Sequence, residues 1–177
     1  NTKPAVFEIE KLEWLNGEWM KKLGSKEVAV RLKEYLRGSE YEEEDMEYLI
    51  DVVEAMGNRV KKLKDFVDIA YYFFTDEFDY DEEGMKKHFY PGLEDRMKKL
   101  ISSLVKVDSF DRENLENVLR ELSDELDCSA AELIHPVRLA LSGMTFGPGL
   151  FTLMEVLGRE KNIERLNRLV DFIEGGK

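Results

Sequence analysis

The sequence has little of what most catalytic sites are built from. It contains a single cysteine, Cys128, and two histidines, His88 and His135, which lie far apart along the chain. One cysteine excludes an internal disulfide and is typical of a protein in a reducing compartment. Neither a zinc-ligand pattern nor a Cys–His nucleophile pair has the spacing that it needs. We therefore expect no catalytic residue and no metal ligand in this chain.

Long hydrophobic runs and targeting segments are also missing. No apolar run approaches the ~20 residues that a membrane-spanning helix needs, and no signal peptide is visible at the start. The first residue is Asn1 rather than Met, so we expect a piece of a longer protein. Together with the cysteine content, these features favour a cytoplasmic protein without a membrane contact.

The glycine-rich and acidic stretches match no familiar ligand loop. The glycine spacing of residues 143–149 fits neither a phosphate-binding loop nor a dinucleotide fingerprint, and no predicted strand precedes it. Residues 76–83 are acidic but lack the alternation and the terminal glutamate of a calcium loop. We interpret the acidic stretch as a solvated linker.

Positive charge is in short supply. The net charge of −12 argues against bulk nucleic-acid binding, because phosphate contacts need lysine and arginine. The charge is unevenly distributed, however. Residues 40–83 contain 16 acidic and 4 basic side chains, with the basic ones in one cluster, whereas residues 129–177 contain six of each sign. A locally basic face on an acidic body is therefore compatible with the sequence.

Helical patterns are found almost everywhere. There are only four prolines, and the abundant Leu, Glu, Lys and Arg favour helices. No stretch alternates with period two over a convincing length, and the clearest apolar stripe with helical spacing consists of Leu115, Val118, Leu119, Leu122 and Leu126. The sequence predicts an all-α protein with two helical subdomains, residues 1–80 and 81–177, divided near the acidic linker.

Several helix boundaries are marked by their end residues. Asp111 precedes one predicted helix, and Ser129 with Glu132 forms a capping box that satisfies exposed backbone N–H groups at the start of another. Pro148 suits the first turn of a helix, and Gly158 suits the position after a helix end.

Two blocks of sequence resemble the glutamyl-tRNA synthetases. Residues 4–17 (PAVFEIEKLEWLNG) resemble the segment that follows the catalytic domain of this family. Residues 135–143 (HPVRLALSG), 147–151 (GPGLF) and 157–160 (LGRE) resemble its anticodon-binding subdomain, and the middle stretch 47–78 is also similar. The resemblance spans nearly the whole chain. It implies a stem-contact helical subdomain followed by an α-helical anticodon-binding cage.

The resemblance implies a base-reading role for Arg59, within the sequence Met-Gly-Asn-Arg. In the family, an arginine at the matching position reads the third anticodon base and separates tRNA(Glu) from tRNA(Gln). The planar guanidinium can give two hydrogen bonds to one base edge, which is worth about 1–3 kcal/mol of discrimination. The alternative is a solvated arginine at the end of a helix.

Four further positions match the anticodon-contacting part of the family's second subdomain. Arg138 matches a residue that contacts the anticodon, and Gly147, Pro148 and Leu150 match the loop that packs against the flipped-out first base. A glycine-rich loop allows the backbone to approach a splayed base closely. Gly147 departs from the side-chain-bearing residue of some members. The alternative is a simple turn that connects two helices.

Five basic residues are candidates for contacts with the phosphate backbone, and the alternative for each is ordinary surface charge. They are Lys61, Lys62, Lys64, Arg159 and Lys161.

The family's ATP-site motifs, His-x-Gly-His and Lys-Met-Ser-Lys-Ser, do not occur in this sequence. The resemblance therefore implies that ATP, with Mg, and glutamate bind to an upstream catalytic domain of the parent enzyme, and that this chain alone does not aminoacylate. The implied partner is tRNA(Glu), with tRNA(Gln) as a second candidate, and the implied state is a monomer.

The competing interpretation is an acidic all-helical protein–protein adaptor that binds no RNA.

Overall fold

The apolar stripes of the sequence form helices, as predicted. The structure is a computed structural model that describes residues 8–175, so residues 4–7 of the first family-like block lie outside the described part. All regular structure within residues 8–175 is helical, which confirms the all-α fold class. The α-helices are α1 Ile9–Leu23, α2 Ser25–Tyr35, α3 Met46–Met56, α4 Leu63–Asp68, α5 Glu82–His88, α6 Leu93–Leu104, α7 Arg112–Glu125, α8 Ala130–Ser142 and α9 Leu150–Gly175.

The chain divides into two compact units between Phe74 and Thr75. The division predicted from the sequence falls six residues later, after residue 80. The observed division lies one residue before the acidic stretch 76–83, and the predicted division lies within it. The names given to the two halves, stem-contact subdomain and anticodon cage, stay predictions.

The core of the first unit lies between α2 and α3. Leu32 and Leu49 are fully buried there, as is Phe66 from α4. The aromatic run of residues 71–74 closes this core, because Tyr72 and Phe73 are at most 1% exposed. These buried rings are packing residues rather than a platform for bases.

Helix α1 differs from the rest of the first unit because none of its residues is buried. Trp14 and Trp19 are both 58% exposed, and Ile9 is 70% exposed. Gly24, with φ 80°, separates α1 from α2.

Helix α9 is the central element of the second unit and packs against α6, α7 and α8. The predicted stripe on α7 is buried at Leu115, Leu119 and Leu122.

Two predicted caps are confirmed. The Asp111 side chain accepts a hydrogen bond from the backbone N–H of Asn114 at 3.0 Å, and the capping box of Ser129 and Glu132 starts α8. Within residues 8–175, no helix is both long and apolar enough to span a membrane.

Gly158 interrupts α9 with φ 75° and ψ 166°, a backbone conformation that favours glycine. The predicted helix end is therefore a break between two helical segments. The amide nitrogen of Asn162 bridges this break, since it donates to the carbonyl oxygens of Met154 at 2.8 Å and Gly158 at 2.7 Å. The buried side chain of Asn162 therefore stabilises the break.

Candidate nucleic-acid interface

Arg59 ends a short 3-10 turn, Gly57–Arg59, which follows α3. The turn begins at Gly57 with φ 51°. The Arg59 side chain is exposed and makes no hydrogen bond or ion pair with the residues that the structure describes. Its guanidinium is therefore available to a ligand.

A pocket of about 180 Å³ lies next to this turn in the first unit. Its walls are apolar at Met20, Val28 and Val53, and Asn58, the neighbour of Arg59, contributes a polar group. Small-molecule sites commonly combine apolar walls with a few polar groups. The first candidate site is Arg59 itself, which is the next residue after Asn58 at the edge of this pocket.

The predicted phosphate-binding lysines of the first unit differ in their partners. The Nζ atom of Lys62 lies 2.6 Å from a carboxylate oxygen of Glu13, and this hydrogen bond raises the pKa of Lys62. The Nζ atom of Lys64 lies 3.1 Å from Asp68. Lys61 is exposed and has no ion pair within residues 8–175. Lys61 is thus the lysine that can reach a phosphate without first breaking an ion pair.

The second candidate site centres on Arg138 of α8. Its Nη1 atom donates to the carbonyl oxygen of Pro148 at 2.8 Å and so ties the end of the loop 143–149 to α8. Pro148 is buried and lies two residues before α9 begins, rather than in the first helical turn as predicted. Leu150 is only 5% exposed, so most of its side chain belongs to the core of the unit.

The start of the same loop is held by the segment around α5. The backbone N–H of Asp81 donates to the carbonyl oxygen of Gly143 at 2.8 Å. Gly84 of α5 packs so closely that a Cβ atom there would lie 2.6 Å from Cγ2 of Thr145 and 2.9 Å from Cδ2 of Leu139. A side chain at Gly84 would force the side chains of Thr145 and Leu139 to move. Both ends of the loop are therefore held in place.

A buried arginine, Arg165 of α9, links the acidic stretch 76–83 to α8 and is only 1% exposed. The expectation of a solvated linker is therefore wrong for this stretch, because Asp76 contacts Arg165 and residues 82–83 belong to α5. The Nε and Nη2 atoms of Arg165 donate to one carboxylate oxygen of Asp76 at 2.8 and 2.5 Å. Nη1 donates to the carbonyl oxygen of Leu141 at 2.5 Å, and Nη2 to that of Thr75 at 3.1 Å. Because Leu141 lies just before the loop 143–149, Arg165 fixes the point from which the loop leaves α8.

The electrostatics of this contact are favourable despite partial burial. Burial alone would raise the pKa of Asp76, but the hydrogen bonds and charge of Arg165, with the charges of Lys161 and Arg168, offset this and lower it. The carboxylate is therefore ionised at neutral pH. Lys161, predicted to contact phosphate, contributes to this local field.

Arg159, another predicted phosphate ligand, is engaged with the end of α6. Its guanidinium donates to the carbonyl oxygens of Leu104 at 2.7 Å, Val105 at 3.1 Å and Val107. It also lies over the ring of Phe110, 5.3 Å from the centroid. Helix C-terminal carbonyls are natural partners for a cation, so much of its hydrogen-bonding capacity is used within the protein.

The two histidines that the sequence separates by 47 positions meet in the second unit. The rings of His88 and His135 stack with their centroids 4.3 Å apart. Burial lowers the pKa of His88, and the charges of His135 and Lys87 lower it further. Among residues 8–175, no group of three or more His, Cys, Asp or Glu side chains is arranged to hold a metal ion.

The sequence interpretation missed Arg165 and Phe146. Arg165 lies between Asn162 and Leu169 at helical spacing, so a polar residue on the apolar side of α9 was the available signal. Phe146 is 60% exposed in the loop 143–149, and an aromatic residue flanked by threonine and glycine was a visible anomaly.

Comparison with known proteins places this geometry in context. A family model described as an anticodon binding domain matches residues 27–170. The chain is 37% identical over 174 residues to glutamate–tRNA ligase 2 of Thermoanaerobacter pseudethanolicus, covering 97% of this chain and 36% of that protein. It is 41% identical over 172 residues to glutamate–tRNA ligase 1 of Syntrophomonas wolfei, covering 96% and 35%. The chain thus spans about a third of the length of these relatives.

A solved structure has a similar fold. A glutamate–tRNA ligase from Elizabethkingia meningosepticum, in complex with its amino acid, superposes with a TM-score of 0.85 at 24% identity. The match covers 93% of this chain and 32% of that protein. At this identity, the likeness establishes the fold.

Proposed function

Because this chain belongs to the anticodon-binding domain family, we propose that it reads the anticodon of tRNA(Glu) on behalf of a glutamate–tRNA ligase. Arg59 reads the third anticodon base, Arg138 contacts the anticodon, and the loop of Gly147, Pro148 and Leu150 packs against the first base. Each base is splayed out of the loop and met by hydrogen bonds and apolar contacts, which is how proteins usually read single-stranded RNA.

The observation that carries this proposal is the loop 143–149, which is held at both ends. Arg138 binds the carbonyl of Pro148, and Asp81 binds that of Gly143. A fixed loop presents backbone groups to a base at a low entropic cost, because little has to be ordered on binding. Glycines at positions 147 and 149 leave the backbone accessible.

The chemistry of the parent enzyme takes place outside this chain. A catalytic domain of the same enzyme binds ATP, with Mg, and glutamate, and joins the amino acid to the tRNA. The chain contributes by positioning, since binding energy at the anticodon holds the acceptor end at a distant active site. We further propose that the enzyme is a cytoplasmic monomer and that Lys61 contacts the RNA backbone.

The test is binding of this chain to tRNA(Glu) and tRNA(Gln) transcripts at two salt concentrations. We expect tighter binding to tRNA(Glu), and we expect Arg59→Ala to reduce the preference for tRNA(Glu) over tRNA(Gln) by about 5- to 160-fold, because a bidentate base contact is worth about 1–3 kcal/mol. Exchanging the third anticodon base of tRNA(Glu) should weaken binding of the unsubstituted chain by the same factor. It should not change binding of the Arg59→Ala variant.

Arg31→Ala is the matched control for this test. Arg31 is also a surface arginine of the first unit, half exposed and paired with Glu27 on the same helix. Its removal should leave the preference unchanged. An equal loss in both variants would mean that Arg59 acts only through general charge.

The competing function, a protein–protein adaptor, is favoured by the net charge of −12 and by the exposed Trp14 and Trp19 on α1. It predicts no binding to either transcript at either salt concentration. That result would exclude anticodon reading by this chain and leave the adaptor as the better interpretation.

A further inference from the structure

Phe146 lies at the exposed part of the loop 143–149, and 60% of its surface is accessible to solvent. The other exposed phenylalanine of the second unit, Phe172, is 51% exposed and packs against Tyr80 with ring centroids 5.2 Å apart. Phe146 has no such ring neighbour among the described residues. An isolated exposed phenylalanine is common on protein surfaces. Its exposure alone therefore does not indicate a binding role, and the surrounding residues have to be considered.

The residues around Phe146 are held in place. The methyl group of Thr145 packs against Gly84, where no Cβ atom fits, and the carbonyl of Pro148 is bound by Arg138. The loop therefore presents the ring from a fixed backbone. An aromatic ring on a fixed backbone loses little conformational entropy when a flat partner stacks on it.

We propose that the ring of Phe146 stacks on one of the three anticodon bases. The inference rests on the proposed anticodon-reading function and adds a contact residue to it. Unstacked bases of single-stranded RNA are commonly received by aromatic side chains, because every base has a π-face. Gly147, next in the chain, has no side chain to obstruct the approach of a nucleotide.

Stacking differs from a phosphate contact in its response to salt. A phosphate contact weakens as salt rises, whereas stacking releases no counterions. Loss of the Phe146 ring should therefore lower the affinity for tRNA(Glu) by a similar factor at low and high salt. The expected factor is about tenfold, within the range measured for base–aromatic stacking.

The experiment measures the affinity of the 177-residue chain for tRNA(Glu) with Phe146 replaced by Ala, Leu or Tyr. Phe146→Tyr should retain the affinity, because the ring is kept. Phe146→Leu should lose most of it, although leucine is also large and apolar. Phe172→Ala is the control for removing an exposed phenylalanine from the same unit, and thermal unfolding of each variant checks that the fold is intact.

A second arm identifies the base. Each anticodon nucleotide of tRNA(Glu) is made abasic in turn, and the effect of Phe146→Ala is measured on each RNA as a double-mutant cycle. At one position the two losses should be non-additive, because the ring and the base are partners. At the other two positions the losses should add.

The outcomes separate this inference from the function on which it rests. If the parent chain reads the anticodon but Phe146→Ala binds as the parent does, or if all three cycles are additive, stacking by Phe146 is wrong and anticodon reading stands. If Phe146→Leu binds as tightly as the parent, the contact is not stacking. Failure of the parent chain to bind tRNA(Glu) would overturn both proposals.

Discussion

Arg59 and Arg138 have the same proposed task, but the protein treats them differently. The Arg59 side chain is exposed at the end of a short turn, without a protein partner among the described residues. The guanidinium of Arg138 is half-buried and donates to the carbonyl of Pro148 at 2.8 Å. One arginine is available in full to a base, whereas the other uses part of its donor capacity to fix a loop.

The difference suggests two modes of recognition in one chain. At the first site, the exposed Arg59 side chain can supply hydrogen bonds directly to a base edge, so its loss should affect specificity and not stability. At the second site, the loop backbone and its neighbours are fixed in advance, so the arginine should affect stability as well as affinity. Mutations can test this contrast between the exposed Arg59 and the loop that Arg138 fixes.

The largest effect is expected for Arg165→Met. This change removes a buried cation with hydrogen bonds to Asp76, Leu141 and Thr75. Removing one partner of a buried ion pair commonly costs about 3–5 kcal/mol. Because the Asp76 side chain is 44% exposed and water can replace part of the contact, we expect the free energy of unfolding to fall by about 3 kcal/mol in urea denaturation.

Arg120→Met is the control for Arg165→Met. Arg120 pairs with Glu116 on the surface of α7, and its side chain is 68% exposed. Exposed pairs of this kind contribute about 0–1 kcal/mol. Similar losses in the two variants would show that Arg165 is not a special support of the loop 143–149.

A smaller loss of stability is expected for Arg138→Ala. The variant leaves the carbonyl oxygen of Pro148 without this hydrogen bond, and a bond to a charged group contributes about 1.5–3 kcal/mol. Since Arg138 is half-buried, we expect the free energy of unfolding to fall by about 1.5 kcal/mol. Arg59→Ala, measured in the same urea series, should leave it unchanged. Equal effects of the two variants would remove the contrast between the sites.

Lys61→Gln and Lys62→Gln test whether ion pairing within the protein decides which lysine contacts phosphate. Lys61 has no ion pair within the described residues, whereas Lys62 lies 2.6 Å from Glu13. We expect Lys61→Gln to reduce the slope of log affinity against log salt by about one. Lys62→Gln should change it less, because its existing ion pair competes with a phosphate. An unchanged slope in the Lys61 variant would exclude it from the RNA contact.

The smallest effect concerns the pH dependence of stability that His88 of the second unit contributes. Burial lowers the pKa of His88 in the folded state below its ordinary value of 6.5. The unfolded chain therefore binds the proton at a higher pH than the folded chain, so this stability is present above about pH 6.5 and is lost as the pH falls through the lower folded-state pKa. His88→Gln should make the free energy of unfolding less dependent on pH in the range just below about 6.5.

The check is a set of urea denaturation curves for the parent and His88→Gln across this pH range. Carboxylates titrate in both proteins, so the difference between the two curves isolates the histidine. Parallel curves would contradict the role assigned to His88.

Local sequence patterns predicted most of the helices of this fold. Helix α7 was readable because Leu115, Leu119 and Leu122 recur at helical spacing and Asp111 supplies the cap. The capping box of Ser129 and Glu132 was readable for the same reason, since it depends on residues three positions apart. Gly158 was recognised as a helix breaker, but that the chain continues as a second helical segment of α9 was not.

The candidate site could be predicted from the sequence only in part. The resemblance to glutamyl-tRNA synthetases brought out Arg59, Arg138 and the loop 143–149, and their roles remain proposals. Nothing in the local pattern showed that Arg159 binds the carbonyls at the end of α6, because its partners lie more than 50 positions away. The stacking of His88 on His135 was also hidden, because the two residues are 47 positions apart.

The sequence by itself determined the helices, their caps and the all-α class, because helical periodicity and capping act over three or four residues. Tertiary structure alone decided that Arg159 and Arg165 are used within the protein whereas Arg59 is left for a ligand. Arg165 became a buried link to Asp76, 89 positions away, while Arg59 stayed exposed. The physical reason is that the partners of a charged group are set by packing between distant segments, which no local pattern records.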